Sequence, residues 1–178
     1  SQTNMQNKDI FSINEKEVMD YYGFSGFSGK IKLKIKLVSS WFFHSIAYSS
    51  IHPGISISAQ KRRGVKIGNS CHISPYVLMD LVYPELIFIG DNVTIGSNVM
   101  IFAHSNPTAS KNLKEKYPRR VERVKIDSGA VINPGCIITA GVTIGKNAMI
   151  SIGSVVTQDV PENCVAVGNP ARVVKKIG

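Results

Sequence analysis

The feature that most constrains this sequence is an aliphatic residue that recurs at every sixth position. From residue 126 the recurrence continues without a break, at Ile126, Ile132, Ile138, Ile144, Ile150 and Val156. Earlier members of the same series are Ile67, Ile73, Met79, Ile89, Ile95 and Ile101. Neither the 3.6-residue period of an α-helix nor the two-residue period of a strand produces this spacing. Hexapeptide repeats are typical of a parallel β-helix, in which stacked turns share one continuous core.

The positions between the aliphatic residues predict how each turn is built. Small or medium-sized residues stand four positions after most of them, at Cys71, Val77, Val93, Val99, Ala130, Cys136, Val142, Ala148 and Ser154. We expect the aliphatic side chain to point inward and the small one to fill a corner of a triangular coil made of three hexads. Directly after the aliphatic residue, most hexads have Gly, Asp or Asn, which tolerate positive φ angles. The sequence therefore predicts an all-β solenoid over residues 55–165.

Two interruptions of the repeat lie in residues 78–86 and 102–125. Insertions in a repeat protein project from the corners between strands and often form the functional surface. We expect residues 102–125 to leave the coil as an extruded loop. Its lysines and arginines outnumber its two glutamates, so the loop is either a solvated excursion or a surface for an anionic ligand.

The segment before the coil, residues 1–54, is predicted to be a helical cap. Asn14 and Glu17 have the spacing of a capping box, which predicts a short helix over residues 15–22 followed by a flexible turn over 22–30. Residues 30–49 fit either a strand or a helix. We favour a helix that covers the first coil, since solenoid ends need covering. The alternative is a basic amphipathic helix on a membrane surface. Residues 166–178 are predicted to be a C-terminal basic tail.

Composition narrows the possible partners. Lys and Arg number 21 and Asp and Glu 12, for a net charge of +9, which favours anionic ligands. Aromatic residues are only 8% of the chain. This low content argues against a nucleic-acid-binding surface on which bases stack against aromatic side chains. Three cysteines without a CxxC pair favour a reducing, cytoplasmic location. The N-terminus has no apolar core of a signal peptide, and residues 37–48 are too few to span a bilayer.

Three segments of the sequence resemble the hexapeptide-repeat acyltransferases, in the branch of the galactoside and maltose O-acetyltransferases. They are IGDNVTIGSNV (89–99), VINPGCIITAGVTIGKNAMISIGSVVTQDVP (131–161) and AVGNPARVVKKI (166–177). The chain departs from the usual pattern at Gln158, where the family has Lys, and at residues 151–152, where it has Gly-Ala. The resemblance implies left-handed coils, an acetyl-CoA donor, no metal, and a homotrimer with active sites between subunits. The acceptor it implies is a hydroxyl of a sugar or a cell-surface polysaccharide precursor.

The resemblance also assigns roles to individual residues. His104 matches the general base, and an imidazole with an ordinary pKa near 6.5 suits that task. Asp80, one coil earlier, either orients this imidazole, binds an acceptor hydroxyl, or hydrogen-bonds its own turn. Ser105 and Asn106 are candidates for contacts with the acceptor substrate or the oxyanion, or alternatively for capping the loop. The candidates for acetyl-CoA binding are Pro134, Ile152 and Thr157 along the pantetheine arm, with Arg172 and Lys175 at the phosphates.

The sequence is also compatible with three other functions. An amino sugar as acceptor would make the enzyme an N-acetyltransferase. A zinc hydro-lyase of the carbonic-anhydrase type shares the β-helix but needs three converging histidines, and only His72 and His104 lie in the repeat region. A scaffold without chemistry would leave the loop at His104 and the C-terminal signature without a role.

Overall fold

A computed structural model describes residues 10–106 and 108–178, in which short strands form the coil. These strands are β1 Lys66–Ile67, β2 His72–Ile73, β3 Leu78–Met79, β4 Ile87–Ile89, β5 Thr94–Ile95, β6 Met100–Ile101, β7 His104–Ser105, β8 Arg120–Val121, β9 Val124–Ile126, β10 Val131–Ile132, β11 Ile137–Ile138, β12 Thr143–Ile144, β13 Met149–Ile150, β14 Val155–Val156, β15 Cys164–Gly168 and β16 Ala171–Lys176. A 3-10 helix, Pro84–Leu86, precedes β4.

Three sheets form the body of the protein, and their strands pair in parallel except for β15 with β16. Their strand orders are β1-β4-β9-β12 in sheet one, β2-β5-β10-β13-β15-β16 in sheet two and β3-β6-β11-β14 in sheet three. Apart from the β7–β8 hairpin, successive strands up to β14 enter sheets one, two and three in turn. The chain therefore winds as a parallel β-helix of four coils, as the hexad repeat predicts.

The hexad aliphatic residues form the core, and this prediction is confirmed. All twelve are buried, and equivalent residues align from coil to coil, as Ile95, Ile132 and Ile150 do in sheet two. The small residues of the corners are also buried, except for the half-buried Cys71. A stack of this kind stabilises the coil by removing each aliphatic side chain from water, about 1.5–3 kcal/mol for each one.

The expectation of positive φ directly after the aliphatic residue is wrong. Positive φ occurs three residues after the aliphatic residue, at Ser70, Tyr76, Asn92, Asn98, Gly129, Gly135, Gly141, Asn147 and Gly153. The glycines next to the aliphatic residue are needed for another reason. A Cβ on Gly96 would lie 2.6 Å from the backbone nitrogen of Pro134, and one on Gly90 would lie 2.7 Å from that of Ser128. Close approach of the next coil therefore selects glycine at these positions.

Three helices cover the first coil: α1 Ile10–Tyr21, α2 Gly26–Ser49 and α3 Pro53–Arg62. The helix expected over residues 30–49 is confirmed as part of α2, which begins earlier, so that residues 26–30 are helical and not a flexible turn. The inner side of α2 is buried at Leu33, Ser40 and His44. The capping box is wrong, because Asn14 and Glu17 lie inside α1 and both accept hydrogen bonds from Arg119.

Both predicted boundaries of the coil need correction. Residues 55–62 belong to α3, which starts with a proline at a position that favours it, and the first strand of the coil begins at Lys66. At the other end, residues 166–178 are not a tail. Most of them belong to β15 and β16, which pair antiparallel and extend sheet two. The excursion also ends sooner than predicted, because β9 returns to the coil at Val124.

A buried arginine joins the cap to the coil. Arg63 donates from Nη2 to the carbonyl oxygen of Asp80 at 2.6 Å and from Nε to the Ser40 hydroxyl at 3.1 Å. Its Nη1 lies 3.2 Å from Nδ1 of His44. Burial lowers the pKa of Arg63 to about 10. Burial, together with the charge of Arg63, lowers the pKa of His44 to about 4. His44 is therefore neutral in the folded protein at neutral pH.

This His44 pKa predicts a loss of stability in mild acid. The unfolded chain protonates His44 near pH 6.5, whereas the folded protein resists protonation down to about pH 4, so its full contribution is present above pH 6.5 and declines below it. We expect about 1 kcal/mol of unfolding free energy to be lost between pH 7.5 and 5.5 through this group. Urea unfolding of His44→Gln should have a smaller pH dependence, and the exposed His52→Gln should match the wild type. Equal pH dependence in all three proteins would contradict the prediction.

No helix in residues 10–106 and 108–178 is long and apolar enough to cross a membrane.

Candidate functional site

A histidine and an aspartate meet at one corner of the coil. Asp80 follows β3 in the first coil, and His104 follows β6 in the second, so the stacking of β3 on β6 brings the two insertions together. His104 Nδ1 lies 2.6 Å from Asp80 Oδ2. The carboxylate is fully buried, whereas the imidazole retains 20% of its exposure. The pair therefore has its anionic end inside and its imidazole at the surface.

Backbone amides fix the Asp80 carboxylate. Its Oδ1 accepts from the amides of Val82 at 2.9 Å and Tyr83 at 3.0 Å, and its Oδ2 accepts from the amide of Ala103 at 2.9 Å. Burial disfavours the ionised form, but the hydrogen bond and charge of His104 and the two amides on Oδ1 outweigh it, so the pKa of Asp80 lies below its usual value. The carboxylate therefore stays ionised.

This arrangement defines the tautomer of His104. An ionised carboxylate that already accepts three amide hydrogens can only accept from the imidazole, so Nδ1 carries the hydrogen. The neutral ring then has its free electron pair on Nε2. Nε2 is consequently the ring atom that is able to accept a proton.

Residues that the sequence analysis did not single out surround this pair. The buried Tyr83 ring packs edge-on against His104, with a centroid separation of 5.3 Å. Its hydroxyl accepts from Arg119 at 3.1 Å, and Arg119 also binds Glu17 at 3.0 Å. The cap helix α1 therefore contacts the imidazole through two intervening side chains. Tyr83 lies in the smaller insertion, which was the only sequence signal for it.

The two neighbours of His104 have different surroundings. Ser105 pairs through its backbone with Arg120 in the β7–β8 hairpin and is half-buried. Asn106 has a positive φ of 60° and donates from its side chain to the carbonyl of Pro118 at 3.3 Å. The Asn106 side chain thus braces the hairpin in this structure. Neither residue makes a described hydrogen bond to His104.

The five residues predicted to bind acetyl-CoA do not converge on His104 within one chain. Pro134 and Ile152 occupy equivalent positions at the corner between sheets two and three, where the amide of Gly153 donates to the Pro134 carbonyl at 3.0 Å. Thr157 follows β14, so it lies at the corner between sheets three and one, the same corner as His104 but two coils further along. Arg172 and Lys175 lie on β16 at the edge of sheet two. Ile152 is 73% exposed, so its side chain projects from the corner.

Several basic residues of the excursion have acidic or aromatic partners. A short helix, α4 Lys111–Lys116, lies between β7 and β8. Lys114 and Arg119 both pair with Glu17 on α1, and Arg120 pairs with Glu122 at 2.7 Å. Arg123 lies over the Phe88 ring. These contacts attach the excursion to the cap and the coil. The excursion is therefore not a purely solvated loop.

The described residues contain no group of three His, Cys, Asp or Glu side chains that could hold a metal ion within one chain. His72 lies on β2 in sheet two, away from the corner that holds His104.

The hexad repeat and the parallel coil define the class as a hexapeptide-repeat β-helix protein. No family model matches the chain. The sequence is 40% identical over 99 residues to the galactoside O-acetyltransferase of Lactococcus lactis subsp. lactis (strain IL1403), covering 56% of this chain and 47% of that protein. The chain therefore spans about half the length of this curated relative.

Solved structures extend the likeness. A maltose O-acetyltransferase from Clostridium difficile 630 is similar with a TM-score of 0.64 and 27% identity, over 82% of this chain and 88% of that chain. A galactoside acetyltransferase in complex with coenzyme A is similar with a TM-score of 0.63 and 27% identity, over 82% of each chain. The resemblance to hexapeptide-repeat acetyltransferases of the galactoside and maltose branch is thereby confirmed.

Proposed function

We propose that this protein is an O-acetyltransferase that moves an acetyl group from acetyl-CoA to a hydroxyl of a sugar or a cell-surface polysaccharide precursor. The observation that supports it most is the 2.6 Å contact between His104 Nδ1 and the buried Asp80 carboxylate, in a fold shared with sugar O-acetyltransferases. We infer the acetyl group and the sugar acceptor from the similarity to sugar O-acetyltransferases. His104, held by Asp80, is a suitable general base for this reaction.

In the proposed reaction, His104 Nε2 takes the proton of the acceptor hydroxyl as its oxygen attacks the thioester carbonyl. The tetrahedral intermediate then breaks its carbon–sulfur bond. The departing thiolate takes the proton back from Nε2, so the products are an O-acetyl ester and free coenzyme A. Asp80 holds the imidazole in one orientation and stabilises its protonated form. No nucleophilic cysteine is required, because the acyl group passes directly to the acceptor.

A site shared between subunits explains why four of the five predicted donor residues lie away from the corner that holds His104. Pro134 and Ile152 stand at one corner of the coil, and His104 stands at another. In a homotrimer, the donor corner of one subunit can face the His104 corner of its neighbour. We therefore propose that acetyl-CoA lies between two subunits, with Arg172 and Lys175 near its phosphates and Thr157 along its arm.

Further properties of the proposal come from the similarity to the sugar O-acetyltransferases. We infer left-handed coils and a homotrimer on this basis. The roles of Ser105 and Asn106 in holding the acceptor remain predictions, and the bracing contact of Asn106 favours an indirect role for it. The three cysteines are free, which is compatible with the predicted cytoplasmic location.

Thiol release from acetyl-CoA tests this function directly, with galactosides, maltose, nucleotide sugars and amino sugars as acceptors. We expect release that depends on one class of sugar hydroxyl, and a product ester that is cleaved by mild alkali. An alkali-stable product formed only with amino sugars would instead support the N-acetyltransferase. No acceptor-dependent release across the panel, with stoichiometric zinc in the purified protein, would favour the hydro-lyase and overturn the proposal.

A further inference from the structure

Helix α2 has apolar residues on two opposite sides. An α-helix turns about 100° per residue, so its buried positions, Gly29, Leu33, Ser40, His44 and Ala47, share the side that faces the coil. The opposite side also presents large apolar residues, which are between 44% and 81% exposed: Phe27, Ile31, Ile35, Val38, Trp41 and Phe42. We call these six residues the outer face of α2. A helix that only capped the coil would be polar on that side.

The outer face is continuous with a groove between α2 and α3. Ile46 lies one turn after Phe42 and lines this groove together with Ile55, which is also exposed. Contiguous apolar surface of this extent marks an interaction site in a folded protein. The 24 residues of α2 give the face a length of about 36 Å.

Positive charge borders the outer face. Helix α2 contains four lysines and no acidic residue. Glu15 and Glu85 pair with Lys30 and Lys36, whereas no described ion pair engages the exposed Lys34, which lies beside Ile35 and Trp41. Arg62, in the last turn of α3, lines the same groove as Ile46 and Ile55 and adds to this charge. The partner of the face is therefore both apolar and anionic.

We propose that the outer face of α2 binds the surface of a membrane that contains anionic lipids. Apolar side chains of such a helix enter the acyl boundary while its basic residues remain at the headgroups. Trp and Phe are suited to that boundary. Pairing with a second copy of the chain fits less well, because it would bring the lysines of two identical faces together.

This inference does not depend on the proposed reaction. The buried side of the same helix contacts the insertion that contains Asp80, since the Ser40 hydroxyl donates to the Leu81 carbonyl at 2.7 Å. In a protein bound through α2, the helical cap would contact the membrane and the coil would remain in solution. Capping of the coil and membrane binding thus use opposite sides of one helix.

The sequence provides a probe for this binding, because Trp41 is its single tryptophan. Vesicles of phosphatidylcholine with about one quarter phosphatidylglycerol should bind the 178-residue protein and shift the emission of Trp41 to shorter wavelength. Neutral phosphatidylcholine vesicles and high salt should weaken both signals. The variant Ile35→Ser/Phe42→Ser keeps Trp41 and removes two exposed apolar side chains. Its vesicle affinity should fall about tenfold or more.

Matched variants separate this site from general charge and hydrophobicity. Lys34→Glu should weaken vesicle binding, while Lys146→Glu, on the last coil, should do so much less. The exposed Val174→Ser, on β16, should bind as the wild type does. Absence of binding to anionic vesicles, or equal binding by Ile35→Ser/Phe42→Ser, would overturn the proposal. The molar mass of each protein should also be measured without lipid. If Ile35→Ser/Phe42→Ser alone formed a smaller assembly than the wild type, the outer face would bind a second copy of the chain, and the proposal would be overturned.

Discussion

Replacing His104 with alanine should reduce turnover by about 10²–10⁴-fold, because a positioned general base contributes this much to proton transfer. The fold should persist, since the Asp80 carboxylate keeps its three amide donors. The measurement is the rate of thiol release from acetyl-CoA with the best acceptor of the panel. The melting temperature of the variant should be compared with that of the wild type in the same buffer.

His72→Ala is the matched control for this variant. His72 is an exposed histidine of the first coil, on sheet two, and its loss should leave turnover within about threefold of the wild type. If His104→Ala retained such near-normal turnover while folded, His104 would not be the base. The proposal for the corner as a catalytic site would then fail, whatever the acceptor.

Replacing Asp80 with asparagine should reduce kcat by on the order of 10²-fold or more, by analogy with carboxylates that fix a catalytic histidine. The amide has nearly the same shape, but its NH₂ cannot accept a hydrogen bond. One of the donors around Asp80 then loses its acceptor, and the imidazole no longer has a fixed Nδ1 hydrogen. We expect kcat to fall while the KM for acetyl-CoA changes less than about threefold, because Asp80 positions His104 and does not touch the donor.

Asp159→Asn controls for the loss of a carboxylate at a corner. Asp159 also accepts from a backbone amide, that of Thr143 at 2.7 Å, but it is exposed and lies in the last coil. Its replacement should leave both kinetic parameters near those of the wild type. An Asp80→Asn protein that kept more than about a third of its kcat would show that His104 needs no carboxylate for orientation.

The coil was predictable because its cause is local and periodic. Each hexad places one aliphatic residue inward, and twelve such positions are all buried. The exceptions are also informative. Glycine after the aliphatic residue was attributed to backbone conformation, but it is required by contact with the next coil, which lies many residues away in sequence. Period alone does not distinguish these two reasons.

The cap was predictable only in outline. The favoured helix over residues 30–49 exists, yet the spacing of Asn14 and Glu17 suggested a cap that the structure uses otherwise. Both side chains bind Arg119, about one hundred residues further along the chain. Local signals for a helix start therefore gave way to a tertiary ion pair. The sequence suggested covering the coil and lying on a membrane surface as alternatives for this helix, and it did not show that α2 has a buried side and an exposed apolar side at once.

The sequence by itself determined the winding of the coil and the two places where it is interrupted, since these follow from periodic burial along the chain. Only the tertiary structure decided that Asp80 and His104 meet at 2.6 Å, because their contact depends on the stacking of β3 on β6. It also decided that Tyr83 and Arg119 connect this pair to α1, and that α2 leaves an apolar face uncovered. Such contacts arise from the packing of distant segments, and no local pattern specifies them.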